Sequence, residues 1–200
     1  MPNQKTRPVS ITPLPSLICE SFVTDWAYTD RKHSFDPQQF GNIKTTSTTH
    51  YLISFLDYIY SNLENRKTSV AAVLVDLSKA FDLVDHTTVI QKALAMGLRE
   101  CVVAWLADFL ADRRQAIPLQ GATSTFLPQT CGVPQDTKIG PLCLLILIND
   151  ALQDTPHRWK YVDDSTFAAS VNNNNHDYTT LQTTLNSLLD WTADNHSTVN

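Results

Sequence analysis

Leu74-Val75-Asp76-Leu77-Ser78-Lys79-Ala80-Phe81-Asp82 and Lys160-Tyr161-Val162-Asp163-Asp164-Ser165 are the two stretches on which the reading of this chain turns. The first ends a β-branched and apolar run, Val70-Ala71-Ala72-Val73-Leu74-Val75, with an acid. Such a run predicts a buried strand over Ser69 to Asp76. In the second, Trp159 to Val162 and Ser165 to Ser170 straddle two aspartates, which predicts a hairpin with acids at its turn.

The flanking sequence supplies helices. Residues 1–15 hold Pro2, Pro8, Pro13 and Pro15 and read as an extended lead-in. A short helix is expected over Ile18 to Tyr28, then a polar loop over Arg31 to Thr45. Tyr51, Leu52, Phe55, Leu56, Ile59, Tyr60 and Leu63 recur at helical spacing and predict an amphipathic helix over Thr46 to Asn65. Helices are expected at 86–97 and 101–112, a hairpin around Gly121, and a helix buried on most sides over Ile139 to Leu152. After a loop at Asn172 to Asn175, an amphipathic helix is expected over Asp177 to Asn195. Strands and helices mix without strict alternation, so the class is α+β.

Composition bounds the function. The chain has 200 residues, 42% hydrophobic and 18% charged, which is globular usage. The longest apolar run, Leu142 to Ile148, is too short to span a bilayer, so no membrane is expected. No signal-like segment opens the chain. Cys19, Cys101, Cys131 and Cys143 are scattered without a CxxC pair, which predicts free thiols and an intracellular protein. The net charge is -5, and the five acids after Lys160 have no base among them. Charge alone argues against a nucleic-acid partner, because such proteins neutralise phosphates with a basic surplus.

Asp76, Asp163 and Asp164 carry the candidate chemistry. Adjacent carboxylates at a tight turn repel one another, and a divalent cation compensates them. Carboxylates from neighbouring strand ends suit two Mg²⁺ ions, which prefer hard oxygen ligands. Two ions roughly 3.5–4 Å apart clamp both oxygens of an in-line phosphoryl displacement. The plain alternative is a solvated turn, which Asp favours in any case.

Leu74 to His86, with Lys-Ala-Phe-Asp and the trailing Val-Asp-His, resembles the first catalytic motif of non-LTR (LINE-type) retrotransposon reverse transcriptases. Gly132-Val133-Pro134-Gln135 with Gly140-Pro141-Leu142 and Ile148-Asn149-Asp150 resembles the second, and Tyr161-Val162-Asp163-Asp164 the third. Arg7-Pro8-Val9-Ser10 and Gln39-Phe40-Gly41 with Ser47-Thr48-Thr49 resemble the fingers motifs. Trp191, Asn195 and Asn200 resemble the opening of the next palm motif.

The resemblance implies a right-hand polymerase, with fingers over about residues 1–68 and palm over about 69–200, an antiparallel palm sheet packed on helices. It implies that Asp76 and Asp163 are the main catalytic ligands for two Mg²⁺ ions, with Asp164 completing the acidic cluster and the Leu77 carbonyl as a further ligand. Phe81 is implied to lie under the incoming sugar and exclude a 2′-hydroxyl. Gln135 is implied to contact the nucleotide and template, and Lys44 the triphosphate. The implied partners are an RNA template, a DNA primer and a deoxynucleoside triphosphate.

The chain departs from the family at Asp136, where glycine usually follows the glutamine, at Thr45, where glycine often follows the lysine, and at Leu17, where many relatives carry lysine. It is expected to stop before the primer grip and thumb and to lack an endonuclease, leaving a fragment of little or no activity alone. The second reading of the same residues is a non-catalytic retroelement remnant that binds nucleic acid or protein at most.

Overall fold

Thr68–Val75 (β1), Arg158–Tyr161 (β6) and Asp164–Asn172 (β7) form an antiparallel sheet in the order β1-β7-β6, in a computed structural model that describes residues 12–119 and 121–200. The expected fingers motif at Arg7 to Ser10 lies outside the described residues. The helices are α1 (Leu14–Arg31), α2 (Thr48–Leu63), α3 (His86–Ala95), α4 (Glu100–Leu110), α5 (Ile139–Ile148) and α6 (Thr179–Asp194). Between α4 and α5 runs a nested hairpin: β2 (Arg114–Gln115) pairs β5 (Leu127–Pro128), and β3 (Pro118–Leu119) pairs β4 (Ala122–Thr123). Gly121 turns it at φ 84, a conformation that glycine adopts without a Cβ clash.

Three expectations shift. Helix α1 starts at Leu14, with Pro13 at its N-cap, so the last residues of the supposed lead-in are helical. Proline is tolerated there because the first-turn N–H groups have no intrahelical partner. Helix α2 forms as expected, but only part of its apolar set covers the sheet: Tyr51, Phe55 and Ile59 are half-buried, while Leu52, Leu56, Tyr60 and Leu63 are exposed.

Strand β1 is buried on one face only. Ala71, Val73 and Val75 pack with Phe167, Leu181 and Leu188 under α6, whereas Leu74 on the opposite face is 76% exposed. Successive strand residues point to opposite faces, so an unbroken apolar run cannot say whether both faces are covered.

Helix α5 is buried except at Pro141, as its composition requires. A buried helix still leaves end groups without intrahelical partners. The fully buried Glu20 of α1 accepts hydrogen bonds from the Lys138 N–H (2.9 Å) and the Ile139 N–H (3.5 Å) at the α5 N-terminus. At the other end the Lys160 ammonium, 0% exposed, donates to the carbonyls of Ile148, Asn149 and Ala151, each at 3.0 Å. An anion sits at the positive end of the helix dipole and a cation at the negative end. Because Lys160 belongs to β6, this contact also fixes the sheet against the core helix.

Candidate active site

The hairpin β6–β7 closes over two residues, Val162 and Asp163, with Tyr161 paired to Asp164. Its register with β1 ends at Val75 opposite Ser165. One step further, Asp76 stands opposite Asp164 on the same face of the sheet. Directly opposed residues have Cβ atoms roughly 4.5–5.5 Å apart, and like charges so placed destabilise one another. Burial raises the pKa of the Asp164 carboxyl above its ordinary range, and the facing Asp76 carboxylate raises it further.

The two acids line a cleft of about 400 Å³ between the open sheet face and α2, together with Thr48, Tyr51, Leu74 and Tyr161. Tyr51 anchors α2 there, its hydroxyl 2.7 Å from Thr166 Oγ1 and its ring edge-on to both Phe40 and Tyr161. The Trp159 indole N–H donates to Ser54 Oγ at 2.9 Å. At the end of β1 the Asn200 amide donates to Asp76 Oδ2 at 3.1 Å, and its backbone N–H donates to the Asp76 carbonyl at 2.9 Å.

Folding also brings the second motif onto the first. The Gly132 N–H donates to the Val84 carbonyl (2.7 Å) and the Val133 N–H to the Phe81 carbonyl (2.8 Å). Gly132 sits at φ 81, and a Cβ there would lie 2.5 Å from the Asp82 carbonyl oxygen. Gln135 donates from Nε2 to Asp82 Oδ1 at 3.3 Å, so it lies beside the loop that carries Phe81. Phe81 is half-buried and packs against the main core. Lys44 is exposed and ion-paired with Asp25 at 2.5 Å. Asp163 occupies the turn and is half-buried.

The donor chemistry suits a hard divalent cation: two carboxylates face one another at a cost that a cation would remove. Among the described residues, however, no group of three His, Cys, Asp or Glu side chains converges closely enough to hold a metal as it stands. The arrangement shown is therefore a facing pair, Asp76 and Asp164, with Asp163 next in the chain.

Sequence reasoning missed the support for this pair. Gln39 was legible only as part of a motif, and Lys160 only as the first residue of the acid-bearing stretch. Gln39 is buried against the hairpin and Lys160 within it, and no periodicity marks a buried polar residue whose partners lie far away in the chain. Among the described residues no helix is long and apolar enough to cross a membrane.

An antiparallel sheet bearing facing aspartates, with α6 on one face and α2 on the other, is the α+β architecture of a right-hand polymerase's fingers and palm. The sequence profile of the reverse transcriptase (RNA-dependent DNA polymerase) family matches residues 2–200, and the chain belongs to that family.

Within the family the likeness is to non-LTR retrotransposons. The RNA-directed DNA polymerase from mobile element jockey of Drosophila melanogaster is 27% identical over 152 residues. The match takes in 75% of this chain and spans 16% of that protein's length. Among solved structures, apo telomerase from Candida tropicalis superimposes with a TM-score of 0.68 at 11% identity, over 92% of this chain and 36% of that one. Telomerase from the same organism in complex with a TWJ fragment of telomeric RNA gives 0.62 at 10% identity, over 94% and 32%.

Proposed function

We propose that this chain carries the catalytic core of an RNA-directed DNA polymerase, with Asp76, Asp163 and Asp164 as its catalytic acids. The observation that carries this reading is Asp76 opposite Asp164 on the cleft side of the sheet. In the reaction a primer 3′-hydroxyl oxygen attacks the α-phosphorus of a deoxynucleoside triphosphate. The hydroxyl proton goes to solvent, a new P–O bond forms, the bond from the α-phosphorus to the α–β bridging oxygen breaks, and pyrophosphate leaves with the electron pair.

Asp76, Asp163 and Asp164 would hold the two Mg²⁺ ions. When bound, the ions supply acidification of the hydroxyl and neutralisation of charge at the phosphates. The protein's part is to orient and to exclude. Phe81 would lie under the sugar of the incoming nucleotide, and Gln135, already against the Phe81 loop through Asp82, would line the same space. Lys44 would turn from Asp25 to the triphosphate. Exposed ion pairs are worth roughly 0–1 kcal/mol, so that exchange costs little. The template would be RNA and the primer DNA, with residues up to about 68 acting as fingers and the remainder as palm.

Primer extension on an RNA template with Mg²⁺ and deoxynucleotides tests the reading. Extension that disappears in Asp163→Asn and Asp164→Asn supports it. A folded wild-type chain that neither binds Mn²⁺ nor extends a primer rejects it.

One observation favours the second reading, a remnant that binds without turnover. Asp136 puts a negative charge, in left-handed backbone, directly after Gln135. That reading expects RNA binding unaffected by Asp163→Asn.

A further inference from the structure

Val162, the first residue of the acid-bearing turn, sits at φ 58. A β-branched residue is strained there, because its Cβ crowds the backbone. Such a conformation persists only where its surroundings over-determine it. The surroundings here are a distant loop. Gln39, 4% exposed, accepts the Val162 N–H at its Oε1 (2.9 Å) and donates from Nε2 to the Val162 carbonyl (3.2 Å). One side-chain amide thus holds both backbone groups of the strained residue. The same Oε1 accepts the Gly41 N–H at 2.8 Å, which fixes the rotamer.

The loop is itself anchored. The Phe40 N–H donates to the Lys160 carbonyl and the Lys160 N–H to the Gln38 carbonyl, both at 2.8 Å, so residues 38–40 run as an extra edge beside β6. Two residues earlier, Asp36 accepts from Arg158 and pairs with Lys160 at 2.7 Å. Gly41 lies so close to the turn that a Cβ would come within 2.5 Å of the Val162 nitrogen.

We propose that Gln39 is a positioning residue: its amide locks Val162 in left-handed backbone and so sets the direction in which Asp163 and Asp164 leave the turn. The proposal rests on the polymerase reading for its consequence. Gln39 acts through the backbone of the turn, whose Val162 N–H and carbonyl it holds.

The test compares the whole chain with Gln39→Leu, Val162→Gly and the double variant. Amide hydrogen exchange reads the turn, Mn²⁺ binding reads the carboxylates, and primer extension separates kcat from KM. Leucine keeps the bulk and removes both hydrogen bonds. Gln39→Leu is expected to speed exchange at Val162 and Gly41 while the β1–β7 amides stay protected, and to weaken Mn²⁺ binding and kcat by about tenfold with KM for the nucleotide unchanged, as for a catalytic group displaced by a fraction of an ångström. In the Val162→Gly background, where positive φ carries no strain, the same change is expected to cost less than half as much.

Mn²⁺ affinity and kcat within twofold of wild type in Gln39→Leu overturn the proposal. So do equal losses in both backgrounds, because independent sites add. A general loss of protection across β1–β7 overturns it in favour of a structural role. Failure of wild type itself to bind Mn²⁺ overturns the polymerase reading instead, and with it any catalytic consequence of the clamp.

Discussion

Asp76 and Asp164 face each other across the β1–β7 ladder, one step past its last pair, and the Asp164 carboxyl is held above its ordinary pKa by burial and by the Asp76 charge. A carboxyl whose pKa is raised in the folded state lowers stability once it ionises. The penalty is absent below the unfolded value, near 3.8, and grows as pH rises through the folded pKa.

Asp164→Asn should therefore stabilise the chain at neutral pH by roughly 0.2–1 kcal/mol, the worth of a cross-strand charge pair. At pH 3 it should change little. Thermal melts at both pH values check this. Added Mg²⁺ should raise the melting temperature of wild type more than that of the variant, because a ligand stabilises only the state that binds it.

Asp136→Gly should stabilise by roughly 0.5–1 kcal/mol, because Asp136 sits at φ 63, where glycine carries no Cβ penalty. Removing the charge after Gln135 should also lower KM for the nucleotide. Denaturant midpoints and steady-state kinetics read the two effects separately.

Asp36→Ala should cost roughly 3–5 kcal/mol, since it leaves the buried Lys160 and Arg158 without their carboxylate. Burial works against the Asp36 carboxylate, but its hydrogen bonds to Arg158 and the Lys160 charge outweigh it and hold its pKa below the ordinary value. The stability it confers is complete above about pH 3.8 and is lost as pH falls through the lowered pKa. Acid unfolding followed by circular dichroism should show that wild-type step and lack it in Asp36→Ala.

Glu20→Leu should destabilise by roughly 1–3 kcal/mol, the cost of leaving buried donors unsatisfied at the α5 N-terminus. Glu20→Gln, which keeps an acceptor oxygen, should lose less than half as much. Urea unfolding of the two variants checks the order.

The amino-acid sequence alone determined the elements and their order. Leu142 to Ile148 is apolar on every side and had to be a core segment. Trp159 to Val162 and Ser165 to Ser170, on either side of two acids, predicted a hairpin with the acids at its turn. The motif pattern alone was enough to name the family.

Tertiary structure decided what those elements do to one another. That Leu74 faces a cleft rather than the core depends on which sheet face α6 covers, and an unbroken apolar run carries no such information. That Gln39 grips Val162, that Glu20 and Lys160 close the two ends of α5, and that Asp76 meets Asp164 all depend on contacts between residues far apart in the chain. Local propensity and periodicity are blind to such contacts, because the energy of a buried polar group is set by the partner that folding brings to it.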